Sequence, residues 1–169
     1  MSAASPITHD SFVDARGVVT LESHMLRLTS DGGDHGALAW VMGSLGVCAR
    51  MISDKLKRAR LEDVLGEVGN ENVQGEAQQK LDVIANNILM QMMRDRDGVT
   101  VLGSEEDESL VYGEKAGVGG ARFALFFDPL DGSSNIDCNV STGTIFAVYE
   151  RTSAGGCGCV EDILRTGND

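Results

Sequence analysis

The stretch Asp128-Pro129-Leu130-Asp131-Gly132-Ser133-Ser134-Asn135 constrains this chain more than any other. It follows Phe123-Ala124-Leu125-Phe126-Phe127, and residues 122–128 read as a buried strand that ends on a carboxylate. Pro129 has no N–H to give to a ladder, so pairing is expected to stop there. Asp128 and Asp131 are three residues apart and can converge across the turn on one hard cation, with the Leu130 carbonyl as a third oxygen. Gly132 lets the backbone approach a ligand closely, and Ser133 and Ser134 offer N–H and O–H donors for a phosphate. A polar turn whose Asp and Ser satisfy their own backbone would use the same letters. The apolar strand before the turn and the Gly-Ser-Ser-Asn after it favour the cation and phosphate reading.

Two further acidic groups matter. Gly103-Ser104-Glu105-Glu106-Asp107-Glu108 follows a short strand over Val99–Leu102. Adjacent carboxylates at a strand end can divide labour: one ligates a metal while the other, facing a bound water, acts as general base. Taken alone, the run is equally a solvated acidic turn. The third group is Glu76, at the end of Asn72-Val73-Gln74-Gly75-Glu76, together with Asp82 in Gln79-Lys80-Leu81-Asp82-Val83-Ile84-Ala85-Asn86-Asn87. Six residues apart, these two carboxylates do not share a helix face. Glu76 could approach a site from a loop and Asp82 from a helix, or the pair could be a dipole-stabilised end carboxylate and a surface charge.

Periodicity organises the rest. Residues 1–35 carry little pattern, and Asp31-Gly32-Gly33-Asp34 reads as a turn or mobile segment. Leu38, Val41, Met42, Leu45, Cys48, Ile52 and Leu56 recur at three and four residues, which predicts a helix from Gly36 to about Ala59. Lys55, Lys57, Arg58 and Arg60 near its end suit the negative end of the helix dipole. The polar, glycine-rich residues 62–75 read as a loop, and Glu76 to about Asp95 as a second helix with Leu81, Ile84, Ala85, Ile88, Leu89 and Met92 inward. A polar excursion runs over 104–120, and Thr144–Glu150 is a further strand. Residues 152–159 read as a loop, and a new element is expected from Val160 to Leu164. Helices alternating with strands indicate a layered α/β domain.

A net charge of −12 argues against nucleic acid, whose phosphates demand Lys and Arg. No apolar run approaches the roughly 20 residues needed to cross a bilayer, so neither a membrane span nor a membrane partner is expected. The first residues show neither a basic nor an apolar segment of a secretory signal. Cys48 fits a small buried hydrophobe in a helix. Cys157 and Cys159 are too few and too close for a zinc site, and a bridge across one residue is strained.

The Gly103–Glu108 run, Asn72–Glu76 with Gln79–Asn87, and above all residues 126–151 (FFDPLDGSSNIDCNVSTGTIFAVYER) resemble fructose-1,6-bisphosphatase. The likeness spans about Gly36 to Tyr149, within the wider Mg²⁺-dependent, lithium-sensitive phosphatases. It implies the N-terminal half of a sugar phosphatase fold, an α+β sandwich with two long helices packed on a mixed β-sheet, preceded by a partly disordered segment over 1–35. It also implies hydrolysis of the 1-phosphate of fructose 1,6-bisphosphate. Glu105, Asp128, Asp131 and the Leu130 carbonyl would ligate two or three Mg²⁺ ions (Mn²⁺ or Zn²⁺ being alternatives), with Glu76 helping from its loop. Glu106 and Asp82 would orient and deprotonate water, and Asp131, Gly132, Ser133 and Ser134 would meet the phosphate. Family members continue for about as long again, through residues that select the sugar, so catalysis is expected to need that second half. A sedoheptulose-bisphosphatase, an inositol phosphatase, or a non-catalytic piece that joins full-length subunits are the alternatives. The resemblance further implies a homo-oligomer, a tetramer in the family; that no leader is visible favours the cytoplasm, and a processed plastid protein would look the same.

Overall fold

Apolar side chains at three- and four-residue spacing do build helices here, and they fold over one face of a four-stranded sheet. The computed structural model describes residues 13–14, 17–30, 35–59, 67–71, 77–113, 122–138 and 140–151. In chain order the elements are β1 (Val13–Asp14), β2 (Gly17–Val18), α1 (Leu21–Ser30), α2 (Gly36–Arg58), β3 (Glu67–Glu71), β4 (Ala77–Gln79), α3 (Lys80–Arg94), β5 (Val99–Ser104), β6 (Val111–Tyr112), β7 (Phe123–Asp131), a 3-10 helix (Ser133–Cys138) and β8 (Gly143–Glu150). The main sheet has the order β6-β5-β7-β8, in which β5 and β7 are parallel and both edge strands antiparallel. β1 pairs with β2 and β3 with β4 in two small ribbons.

The layered α/β class is thus observed, with differences in detail. A helix, α1, forms at Leu21–Ser30, where the sequence shows little pattern; only Met25 of it is buried, so its apolar stripe is narrow. Residues 67–71 are a strand rather than a loop, and Ala77–Gln79 pair with them instead of starting the helix. Backbone pairing there overrides a composition that reads as turn-rich. β6 interrupts the polar excursion after residue 104. β7 does not stop at Pro129. Its ladder with β8 runs to Asp128–Ile145, slips, and resumes at Asp131–Gly143. The missing Pro N–H is accommodated in that irregularity, and the Pro129 carbonyl accepts from Thr144 Oγ1 at 2.9 Å. The expected segments 31–34, 152–159 and 160–164 lie outside the described residues.

The core joins Val41, Leu45, Cys48 and Ile52 of α2 to Leu81, Ala85, Leu89 and Met93 of α3 and to Leu102, Leu125 and Phe127 of the sheet. Each fully buried aliphatic or Phe side chain contributes roughly 1.5–3 kcal/mol. By length and composition α2 would suffice to cross a membrane, contrary to the expectation from apolar runs. Here it is a core helix: one stripe packs against α3, while Arg50, Asp54, Lys57 and Arg58 are exposed. Cys48 is a free, buried thiol, as its apolar setting suggests.

Candidate functional site

Parallel pairing of β5 with β7 puts both strands' C-terminal ends at one rim. Their register matches Gly103 with Phe126 and Ser104 with Phe127. The Glu105 N–H then donates to the Phe127 carbonyl at 3.0 Å, which carries the pairing one step beyond the strand and sets Glu105 beside Asp128. Both residues line one groove of about 500 Å³, with Ser104, Asp107, Phe126 and Phe127. Gly103 is required on the groove's floor: a Cβ there would stand 2.6 Å from the Phe126 ring.

After Glu105 the chain turns tightly. The Glu106 N–H donates to Ser104 Oγ at 3.2 Å and the Asp107 N–H to the Ser104 carbonyl at 3.4 Å. Ser104 is therefore the pivot of the acidic turn.

β7 delivers the second turn. Asp128 Oδ1 accepts the Leu130 N–H at 3.0 Å, so the Asp does satisfy its own backbone, as the plain polar-turn reading anticipates. The Leu130 side chain is buried in the core and Asp131 is exposed. Gly132 adopts φ +78°, the left-handed region where a side chain is strained, and the 3-10 helix starts directly after it. Ser134 is exposed and Ser133 half-buried.

The two turns meet on α3. Asp82 lies in its first turn and is only 3% exposed, which overturns its reading as a surface charge. A buried carboxylate needs hydrogen-bond partners. Ser133 supplies one, its Oγ donating to Asp82 Oδ2 at 2.9 Å across 51 positions of sequence. One turn further along, Asn86 Nδ2 donates to Asp107 Oδ2 at 3.0 Å.

Of the residues singled out from the sequence, Glu105 is thus brought beside Asp128, and Asp82 into contact with Ser133. Glu106 sits half-buried on the acidic turn, and Asp131, Gly132 and Ser134 occupy the adjoining one. Glu76 lies outside the described residues. Among the described residues, no three His, Cys, Asp or Glu side chains converge closely enough to hold a metal ion. The shared rim nonetheless offers carboxylate and carbonyl oxygens, donors that suit a hard divalent cation. Three participants escaped the sequence reading: Ser104 as pivot, Asn86 as a buried donor, and Thr144. Only Asn86 carried a signal, its four-residue spacing from Asp82 on one helix.

Residues 19–169 match the family model described as fructose-1,6-bisphosphatase, N-terminal domain. Two solved structures are similar. Leishmania major fructose-1,6-bisphosphatase in holo form shares 34% identity at a TM-score of 0.74 over 86% of this chain and 43% of its own. The apo form of the Leishmania major enzyme shares 30% identity at a TM-score of 0.66 over 86% of this chain and 40% of its own. The chain therefore spans less than half the length of these relatives. On this evidence the chain belongs to the fructose-1,6-bisphosphatase family, with residues 19–169 corresponding to its N-terminal domain.

Proposed function

We propose that the rim formed by β5, β7 and α3 hydrolyses the 1-phosphate of fructose 1,6-bisphosphate, within a protein that includes the remaining span of its relatives. The observation that carries this reading is the 2.9 Å hydrogen bond from Ser133 Oγ to Asp82, which ties the Gly-Ser-Ser turn to a buried carboxylate. Glu105, Asp128, Asp131 and the Leu130 carbonyl would hold divalent cations, Mg²⁺ first, with Glu76 as a further ligand. Such ions, when bound, offset phosphate charge and make water more acidic. The backbone of Gly132 and Ser133 and the hydroxyl of Ser134 orient the phosphate. Glu106 and Asp82 orient the attacking water and take its proton, a role within reach of a carboxylate at neutral pH.

The test is phosphate release from fructose 1,6-bisphosphate in Mg²⁺, by this chain alone and mixed with a full-length relative, with sedoheptulose bisphosphate and inositol phosphate as competing substrates. Activity is expected in the mixture, and Glu106→Gln in this chain should lower the part it adds by about 10²–10⁴-fold. An unchanged rate for that variant would remove Glu106 from the chemistry. Faster turnover of an inositol phosphate would reassign the substrate.

A further inference from the structure

Asn86 follows Asp82 by four residues on α3, so the two share a helix face. Both are buried, Asp82 at 3% and Asn86 at 9% exposure. The Asn86 amide is oriented by its partner, because the reversed amide would set Oδ1 against the Asp107 carboxylate. With Nδ2 committed to Asp107 at 3.0 Å, Oδ1 is left buried and without a hydrogen-bond partner among the described residues. An orphaned buried acceptor is destabilising, and an apolar residue of similar shape would avoid it. Stability therefore does not explain an amide here. Its donor does something specific: it grips the far end of the turn that carries Glu105 and Glu106. The near end is pinned by the Glu105 N–H on the Phe127 carbonyl at 3.0 Å.

We propose that Asn86 and Asp107 form a positioning clamp, which holds the Glu105–Glu106 turn at a fixed separation from Asp82 on the same helix. Neither residue touches reacting atoms. The clamp rests on the functional reading above, since it acts by placing carboxylates for cation and water.

The clamp is tested with Asn86→Leu, Asn86→Asp, and the swap Asn86→Asp with Asp107→Asn. The swap reverses donor and acceptor, keeps the net charge and restores the hydrogen bond. Each protein is measured for Mn²⁺ affinity from the free-ion electron spin resonance signal, for amide hydrogen exchange across 104–107, and for its melting point. Asn86→Leu should melt no lower than wild type, yet bind Mn²⁺ about tenfold more weakly, as for a coupling of ordinary size, and exchange faster across the turn. Asn86→Asp alone, with two carboxylates face to face, should lose at least as much, and the swap should return affinity and exchange to within about threefold of wild type. Variants that bind Mn²⁺ like wild type would overturn the clamp while leaving the functional reading intact. A wild-type chain that takes up no Mn²⁺ would overturn the functional reading, and the clamp with it. Should Asn86→Leu not fold, the swap decides: failure to recover what Asn86→Asp loses overturns the proposal.

Discussion

The two faces of the main sheet are built differently. On the helix side, the row Val111, Leu102, Leu125 and Val148 crosses all four strands and sits in or against the core. On the other side, the row Tyr112, Val101, Ala124 and Tyr149 ends in two rings that are 47% and 43% exposed. Beside it, Gly103 and Ala147 leave room for Phe126, whose ring meets Tyr149 edge-on at 6.1 Å. Large side chains thus fill the helix face, while Gly103 and Ala147 on the opposite face leave space in the groove beside the carboxylates. The opposite face is buried at its centre, at Val101 and Ala124, and opens towards its edges.

The strongest way to break this division is Leu125→Ala on the helix face. It should destabilise by about 2–5 kcal/mol in chemical denaturation, whereas Tyr149→Ser on the open face should cost well under 1 kcal/mol. Equal effects would erase the distinction. Gly103→Ala probes the groove floor: with the Phe126 ring 2.6 Å from the new Cβ, an overpacking cost of about 1–3 kcal/mol is expected, together with an altered environment for the Phe126–Tyr149 pair in near-ultraviolet circular dichroism. Gly132→Ala should cost about 1–2 kcal/mol through its left-handed backbone, and it should weaken phosphate binding more than Gly143→Ala, where nothing lies within 4 Å of a new Cβ.

Cys48 sharpens the picture of the helix face. Desolvation by burial pushes its thiol up to about 11, from a reference of 9.0. A raised thiol value means that the unfolded chain loses its proton first. The thiol's contribution to stability is then intact below about pH 9 and lost as pH rises towards about 11. Melting points from pH 8 to 11 should fall more steeply for wild type than for Cys48→Ala, and thiol reagents should be slow at pH 8. Smallest of all is Arg122→Ala at the far end of β7, where the guanidinium Nε lies 3.1 Å from Glu150 on an exposed surface. About 0–1 kcal/mol is expected, shrinking in high salt.

Much of the helix face is legible in the sequence because burial imposes a period. Leu38 to Leu56 and Leu81 to Met92 repeat at three and four residues, and the strand before Asp128 is continuously apolar. The acidic turn and the Gly-Ser-Ser segment are legible because their chemistry is carried by residue types that are costly or strained elsewhere. What stays hidden is pairing over distance. Nothing in residues 67–79 announces a ribbon, because the pairing of Glu67 with Gln79 and of Glu71 with Ala77 runs through the backbone. Asn86 and Asp107 stand 21 positions apart, and only the fold shows that one donates to the other. The residues alone leave Asp82 open between a surface charge and a site carboxylate, and only the fold brings Ser133, 51 positions later, to satisfy it.

The slip in the β7–β8 ladder around Pro129 has a geometric consequence. In an unbroken strand, side chains alternate, so positions separated by an odd number are sent to opposite sides. Residues 128 and 131 have odd spacing, and a straight strand would force them apart. The irregularity between them cancels that parity, leaving the rim free to gather two acids from a single segment.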